Sequence, residues 1–105
     1  MHIVTGKITK QNAEDSFYII SDPQVSADVK LHWAQEYKAT GKCIAVSVEI
    51  SENQLELTTT QLWADQQSYN DYKNDATMID GLFSIREAYW AEHGITGVIV
   101  NEEEI

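Results

Sequence analysis

Few side chains in the 105 residues could do chemistry, and they are spread unevenly. Trp63 is followed by Tyr69 and Tyr72, Arg86 is the only arginine, Cys43 is the only cysteine, and the histidines are His2, His32 and His93. A lone cysteine forms no intramolecular disulfide and leaves no CxxC pair for zinc, so Cys43 reads as a small buried strand residue. The histidines are too scattered along the chain to argue for a metal, and no HExxH, glycine-rich phosphate loop, carboxylate dyad or nucleophile with its base is found. What remains is aromatic. Tyr69 and Tyr72 stand three apart on one helical face, and Arg86 has Phe83 and Trp90 at helical spacing, where a guanidinium can stack on a ring. Packing is the default explanation of each. An indole such as Trp63 buries a large area and needs one partner for its N–H.

The elements that must position these side chains follow from periodicity. Met1 to Thr9 is expected as a first strand, weakened by Gly6. Lys10 to Ser21, with the apolar burst Phe17 to Ile20, fits either a strand continuation or an ordered connection. Asp22 and Pro23 make an N-cap and a first helical residue, and Val25, Val29, Trp33 and Tyr37 recur in one stripe until Gly41 stops the helix. His32 borders that stripe. From Lys42 to Ile50, Ile44, Val46, Val48 and Ile50 alternate with Cys43, Ala45, Ser47 and Glu49, which predicts a strand. Ser51 to Asn53 supply a turn, and Leu55 to Trp63 return as a β-branched-rich partner. Asp65 caps a helix carrying Tyr69 and Tyr72, Asn74 and Asp75 break it, and a further helix runs from about Thr77 to His93. Gly81 within it implies close approach or a kink, and Gly94 ends it. Ile95 to Asn101 reads as a last strand buried on both faces, with Glu102 to Glu104 as a solvated acidic tail over about 102–105.

The order is strand, helix, strand, strand, helix, strand. It implies a single α+β domain over 1–105, a ferredoxin-like βαββαβ unit whose two helices cover one face of a four-stranded antiparallel sheet. The uncovered face, expected to hold Val98 to Val100, Cys43, Ala45 and Leu62, is too apolar for water, and a second copy is the expected cover. Seventeen acidic against seven basic residues give a net charge of -10, which disfavours nucleic acid and anionic membrane surfaces as partners. No apolar run approaches a membrane span and no signal-peptide pattern is present, so a soluble cytoplasmic protein is expected.

The segment T-T-T-Q-L-W-A-D-Q-Q-S-Y-N-D-Y at Thr58 to Tyr72 resembles the dimeric α+β barrel proteins, in particular the antibiotic-biosynthesis monooxygenase group. There the third strand ends in a tryptophan, followed by a cap and an aromatic on the helix. The resemblance implies a ferredoxin-like protomer, a homodimer joined sheet to sheet, and no metal or flavin. In the quinol-oxidising members it implies catalytic roles for Trp63, Tyr69 and Arg86. Those members carry an asparagine four residues before the tryptophan, and Thr59 holds that place, its hydroxyl a partial substitute for an amide. Thr59, Tyr72, His32 and Trp33 are the candidates to line a pocket for a small aromatic ligand. The haem-degrading branch needs an asparagine on the first strand and a histidine on the second helical region, and neither occurs here. Two readings stand: a cofactor-free oxygenase acting on a quinol-like compound, and a non-catalytic homodimer that binds a ligand or a partner protein.

Overall fold

The computed structural model describes all 105 residues. Four strands, β1 (His2–Thr9), β2 (Cys43–Ile50), β3 (Glu56–Trp63) and β4 (Thr96–Glu104), form one antiparallel sheet in the order β2-β3-β1-β4. The helices are α1 (Pro23–Trp33), α2 (Gln66–Lys73), α3 (Ala76–Met78) and α4 (Ser84–His93). This is the ferredoxin-like α+β arrangement that the element order implied. No helix is long and apolar enough to cross a membrane.

Local chemistry sets the boundaries. Asp22 accepts from the backbone N–H of Gln24 and Val25 ahead of Pro23, and Asp65 accepts from Ser68 N–H at 2.7 Å to start α2. Gly41 and Gly94 adopt φ of +75° and +64°, a conformation that costs glycine little, and end the two helical regions. Each long helical region passes through a π-helical turn, Ala34–Lys38 after α1 and Ile79–Phe83 between α3 and α4. Gly81 lies in the second of these. A Cβ there would sit 2.5 Å from Val29 Cγ2, so α1 and the π turn meet at hydrogen-atom contact, and Gly81 is both a close approach and a helix irregularity.

The core lies between sheet and helices. Val4, Val29, Tyr37, Cys43, Trp63, Tyr69, Tyr72 and Met78 form it, with Val25, Trp33, Leu82 and Phe83 against its edge. The stripe of α1 therefore faces inward as its spacing predicts. Trp63 sits at the centre, with ring centroids of Trp33, Tyr37, Tyr69 and Tyr72 at 5.9, 6.0, 5.6 and 5.1 Å. Such edge and tilted contacts suit aromatic quadrupoles.

Three sequence expectations are corrected. Cys43 belongs to the core and not to the uncovered face: Cys43 pairs with Trp63 and Ala45 with Leu62, so the ladder skips Ile44, and this bulge turns Cys43 towards the helices. Burial raises the pKa of its thiol. Glu102 to Glu104 are not a tail but the end of β4, paired with His2 to Val4. Buried His2 explains this, because its Nδ1 lies 2.7 Å from a Glu104 carboxylate oxygen and its Nε2 2.8 Å from one of Glu102. Finally, β4 is an edge strand whose Val98, Ile99 and Val100 are exposed, not buried on both faces. The uncovered face is mixed in character. The cross-strand row Ile3, Leu62, Ala45 is apolar, the row Thr5, Thr60, Ser47 is hydroxylic, and Lys7 pairs with Glu56 at 3.2 Å.

Lys10 to Ser21 is an ordered strap. Trp90 Nε1 donates to the Phe17 carbonyl at 2.7 Å, while buried Lys10 donates to the carbonyls of Ala13 and Asp15 and stands over the Phe17 ring.

Candidate functional site

Two clefts open between the sheet and the helices, one on each side of Gln61 and Tyr72, which line both. The first, about 400 Å³, is walled mainly by apolar side chains, among them Ile20, Val29, Trp33, Val46, Met78 and Leu82, with Tyr18 and Lys30 at its edge. The second, about 440 Å³, is the more polar, with Thr59, Gln61, Tyr69, Lys73, Arg86 and Glu87 among its walls and Phe83 and Trp90 as aromatic surfaces. Both volumes fall in the range of small-molecule sites. Two backbone positions without side chains line the second cleft. Gly6 of β1 lies opposite Thr59 of β3, and Gly97 of β4 seats the Trp90 ring so closely that a Cβ would come within 2.4 Å of it.

Arg86 projects from α4 into this cleft with its guanidinium carbon 4.7 Å from the Trp90 ring centroid and 5.3 Å from that of Phe83. No carboxylate pairs with it, and its buried Nε has no hydrogen-bond partner in the protein. In a chain with 17 acidic residues an arginine left without an anion is unusual, because a buried unsatisfied donor costs about 1–3 kcal/mol. The unpaired guanidinium, which lines the cleft, is suited to an oxygen acceptor supplied by a ligand.

The two tyrosines of α2 stay neutral. Burial pushes Tyr72 up to about 12 even though Arg86 pulls the other way. Burial also raises Tyr69, aided by the Glu102 carboxylate and opposed by Arg86. At neutral pH both hydroxyls are hydrogen-bond donors and not phenolate bases. The His2 ring lies 5.8 Å from the Tyr69 ring, so the β1–β4 clasp of His2, Glu102 and Glu104 borders the cleft wall.

The sequence-level candidates divide. Tyr69, Arg86 and Thr59 line the second cleft, Tyr72 lines both, and Trp33 lines the first. Trp63 lines neither: it is 0% exposed, and its Nε1 donates to Gln61 Oε1 at 3.2 Å. His32 also lines neither, since its Nε2 lies 2.6 Å from Asp75 Oδ2, the atom that accepts from the Tyr37 hydroxyl at 2.5 Å. Oδ1 of the same carboxylate caps α3 at Thr77 and Met78. Burial alone would raise the pKa of Asp75, but the hydrogen bonds from Tyr37, His32 and Met78 outweigh it and hold the carboxyl below its usual range. Burial and Asp75 together raise Tyr37 strongly. This cluster ties α1 to the α2–α3 turn. Gln61 escaped the sequence reading, with no signal beyond its place in an alternating strand, whereas Trp90 was visible there as Arg86's helical neighbour.

No family model and no curated protein matches the sequence. Solved structures do match. An antibiotic biosynthesis monooxygenase candidate from Deinococcus radiodurans is similar at 14% identity and a TM-score of 0.58, over 100% of this chain and 92% of its own. A dimeric ferredoxin-like protein from an uncultured marine organism is similar at 10% identity and a TM-score of 0.58, covering 100% and 94%. A protein named YJCS is similar at 11% identity and a TM-score of 0.53, covering 99% and 97%. At these identities the likeness is one of fold, and it extends over the whole chain.

Proposed function

We propose that this chain is a monooxygenase-like enzyme that oxidises a small quinol-like aromatic compound in the second cleft, with the substrate itself as the reductant. The observation that carries this reading is Arg86, stacked on Phe83 and Trp90, facing a cleft of about 440 Å³ with no anion of the protein to neutralise it. An electron-rich ring fits against those aromatic walls, and an oxygen that becomes more negative on deprotonation is stabilised by the guanidinium. The fold likeness to the Deinococcus radiodurans structure supports the same reading.

The chain's own residues bind and polarise. Tyr69 donates a hydrogen bond to a substrate oxygen, Arg86 stabilises the oxygen that loses its proton to solvent, and the aromatic walls exclude water around the ring. The resulting anion supplies two electrons to dioxygen. For a substrate with a ring methylene, those two electrons form a ring hydroperoxide, which takes up the proton released earlier; loss of the remaining C–H proton then sends that bond pair to carbon and oxygen as the O–O bond breaks, so that one oxygen stays as a ring carbonyl and the other leaves as water. For a simple quinol the balance is quinone and hydrogen peroxide.

Oxygen consumption with 1,4-naphthohydroquinone and anthrone tests the proposal. Saturable rates above the spontaneous background, reduced at least tenfold in kcat/KM by Arg86→Met, are expected. Background rates in the wild-type protein would sink it and leave the ligand-binding reading. The second copy enters here as well: we propose a homodimer closed over the uncovered sheet face, where the Ile3, Leu62, Ala45 row and Val98 would leave water. Light scattering at micromolar concentration is expected to give twice the protomer mass, and a monomer would contradict it.

A further inference from the structure

Gln61 stands where the two clefts meet, and its orientation follows from one hydrogen bond. An indole N–H can only donate, so the Gln61 atom facing Trp63 Nε1 at 3.2 Å must be the carbonyl oxygen. That fixes which way the amide points. Its NH2 group, with two donor hydrogens, is turned away from Trp63 and makes no hydrogen bond in the protein. The strand register explains why nothing nearby takes those hydrogens, since Gln61 lies opposite Val4 on β1 and Val46 on β2. Both cross-strand neighbours are apolar. The amide donors are thus free where Gln61 lines both clefts, the second of which it shares with Arg86, Thr59 and Tyr69.

We propose that Gln61 is a substrate-binding residue whose amide NH2 donates to an oxygen of the aromatic ligand, and that Trp63 is a positioning residue acting through it. This rests on the reading of the second cleft as the ligand site. The site then offers donors from two directions: the sheet, through Gln61, and the helices, through Arg86 and Tyr69. Its ligand class is correspondingly narrow. It is a planar or nearly planar ring system carrying a carbonyl, phenolic or quinol oxygen, and a hydrocarbon of the same shape lacks the feature that the site recognises. Gln61 also borders the apolar first cleft, which gives a ring substituent of hydrocarbon character a place to extend beyond the polar contact.

Binding of 1-tetralone, an aryl ketone that neither titrates nor reduces dioxygen, is compared with binding of naphthalene by equilibrium dialysis. Two variants are used. Gln61→Glu keeps an acceptor for the Trp63 N–H but presents no donor to the ligand; Gln61→Met removes both. In each, tetralone affinity is expected to fall on the order of tenfold or more while naphthalene affinity stays within about twofold. In the Gln61→Met background, adding Trp63→Phe is expected to have no further effect on tetralone, because the indole acts only through the missing amide.

Equal losses for both ligands would mark a structural role for Gln61 and overturn the proposal, as would unchanged tetralone binding in either variant. A further loss on adding Trp63→Phe would overturn the positioning role. If the wild-type protein shows no saturable tetralone binding, the ligand site and the proposal fall together. If tetralone binding depends on Gln61 while quinol oxidation stays at background, the enzymatic reading fails alone.

Discussion

Raising the pH towards 12 should destabilise this protein in part through Tyr72, by an amount that its environment sets. The residue is buried between Trp63 at 5.1 Å and Phe83 at 5.1 Å, and burial lifts its pKa from 10.0 to about 12. The folded state therefore favours the neutral phenol. Stability from this source is complete below pH 10, where the phenol is neutral in both states. It is lost as pH rises through 12, since the unfolded chain gives up the proton first. The loss from this one group is about 1.4 kcal/mol at pH 11 and about 2.3 kcal/mol at pH 12, on a scale of 1.36 kcal/mol per pKa unit. Urea unfolding at pH 8, 10, 11 and 12, followed by tryptophan fluorescence, measures it against Tyr72→Phe. The Tyr72 hydroxyl makes no hydrogen bond in the protein, so the phenylalanine variant is expected to match the wild type at pH 8 within about 0.5 kcal/mol. At pH 11 it should be the more stable by about 1.4 kcal/mol, whatever the other groups do, because they titrate in both proteins. Parallel pH profiles would refute the reasoning.

The remaining expectations concern neighbouring features. Gly97→Ala puts a Cβ 2.4 Å from the Trp90 ring, which its 2.7 Å bond to the Phe17 carbonyl keeps from moving, and is expected to cost about 1–3 kcal/mol in denaturant unfolding; a neutral result would contradict the close seat. Asp75 has a lowered pKa, so its contribution is present above the usual carboxylate range and is lost as pH falls through the folded value. Asp75→Asn retains a cap but loses the charged links to His32 and Tyr37, and it should flatten the acid limb of the stability profile; an unchanged limb would refute that. Arg86→Met removes a buried donor that has no partner, so its unfolding free energy should stay within about 0.5 kcal/mol of the wild type or rise, while ligand binding falls. A large destabilisation would make Arg86 a structural residue instead.

Much of the fold was legible because its signals are local. The stripe Val25, Val29, Trp33, Tyr37, the caps at Asp22 and Asp65, and the glycine stops at positions 41 and 94 each act within a turn or two of helix. Features made by distant partners were not. The bulge at Ile44 leaves the alternation of Ile44, Val46 and Val48 unbroken by residue type, so the side on which Cys43 lands cannot be read from the strand alone. Glu102 and Glu104 resemble a solvated run until His2, a hundred residues away, is set between them. Tyr69, Tyr72 and Arg86 stood out by type and spacing, which alone suggest packing; the site roles of Tyr69 and Arg86 came from the family resemblance of Thr58 to Tyr72. Gln61 did not stand out, because a glutamine in a strand acquires a direction only when the Trp63 indole beside it takes one end of the amide.

A crystal structure of the protein with 1-tetralone bound shows directly whether the second cleft is the ligand site. The ring is expected between Gly6, Thr59 and the Phe83–Trp90 wall, with its oxygen about 3 Å from Gln61 Nε2 and facing Arg86. A ligand seated elsewhere, or a cleft closed by the protein's own side chains, would contradict that assignment.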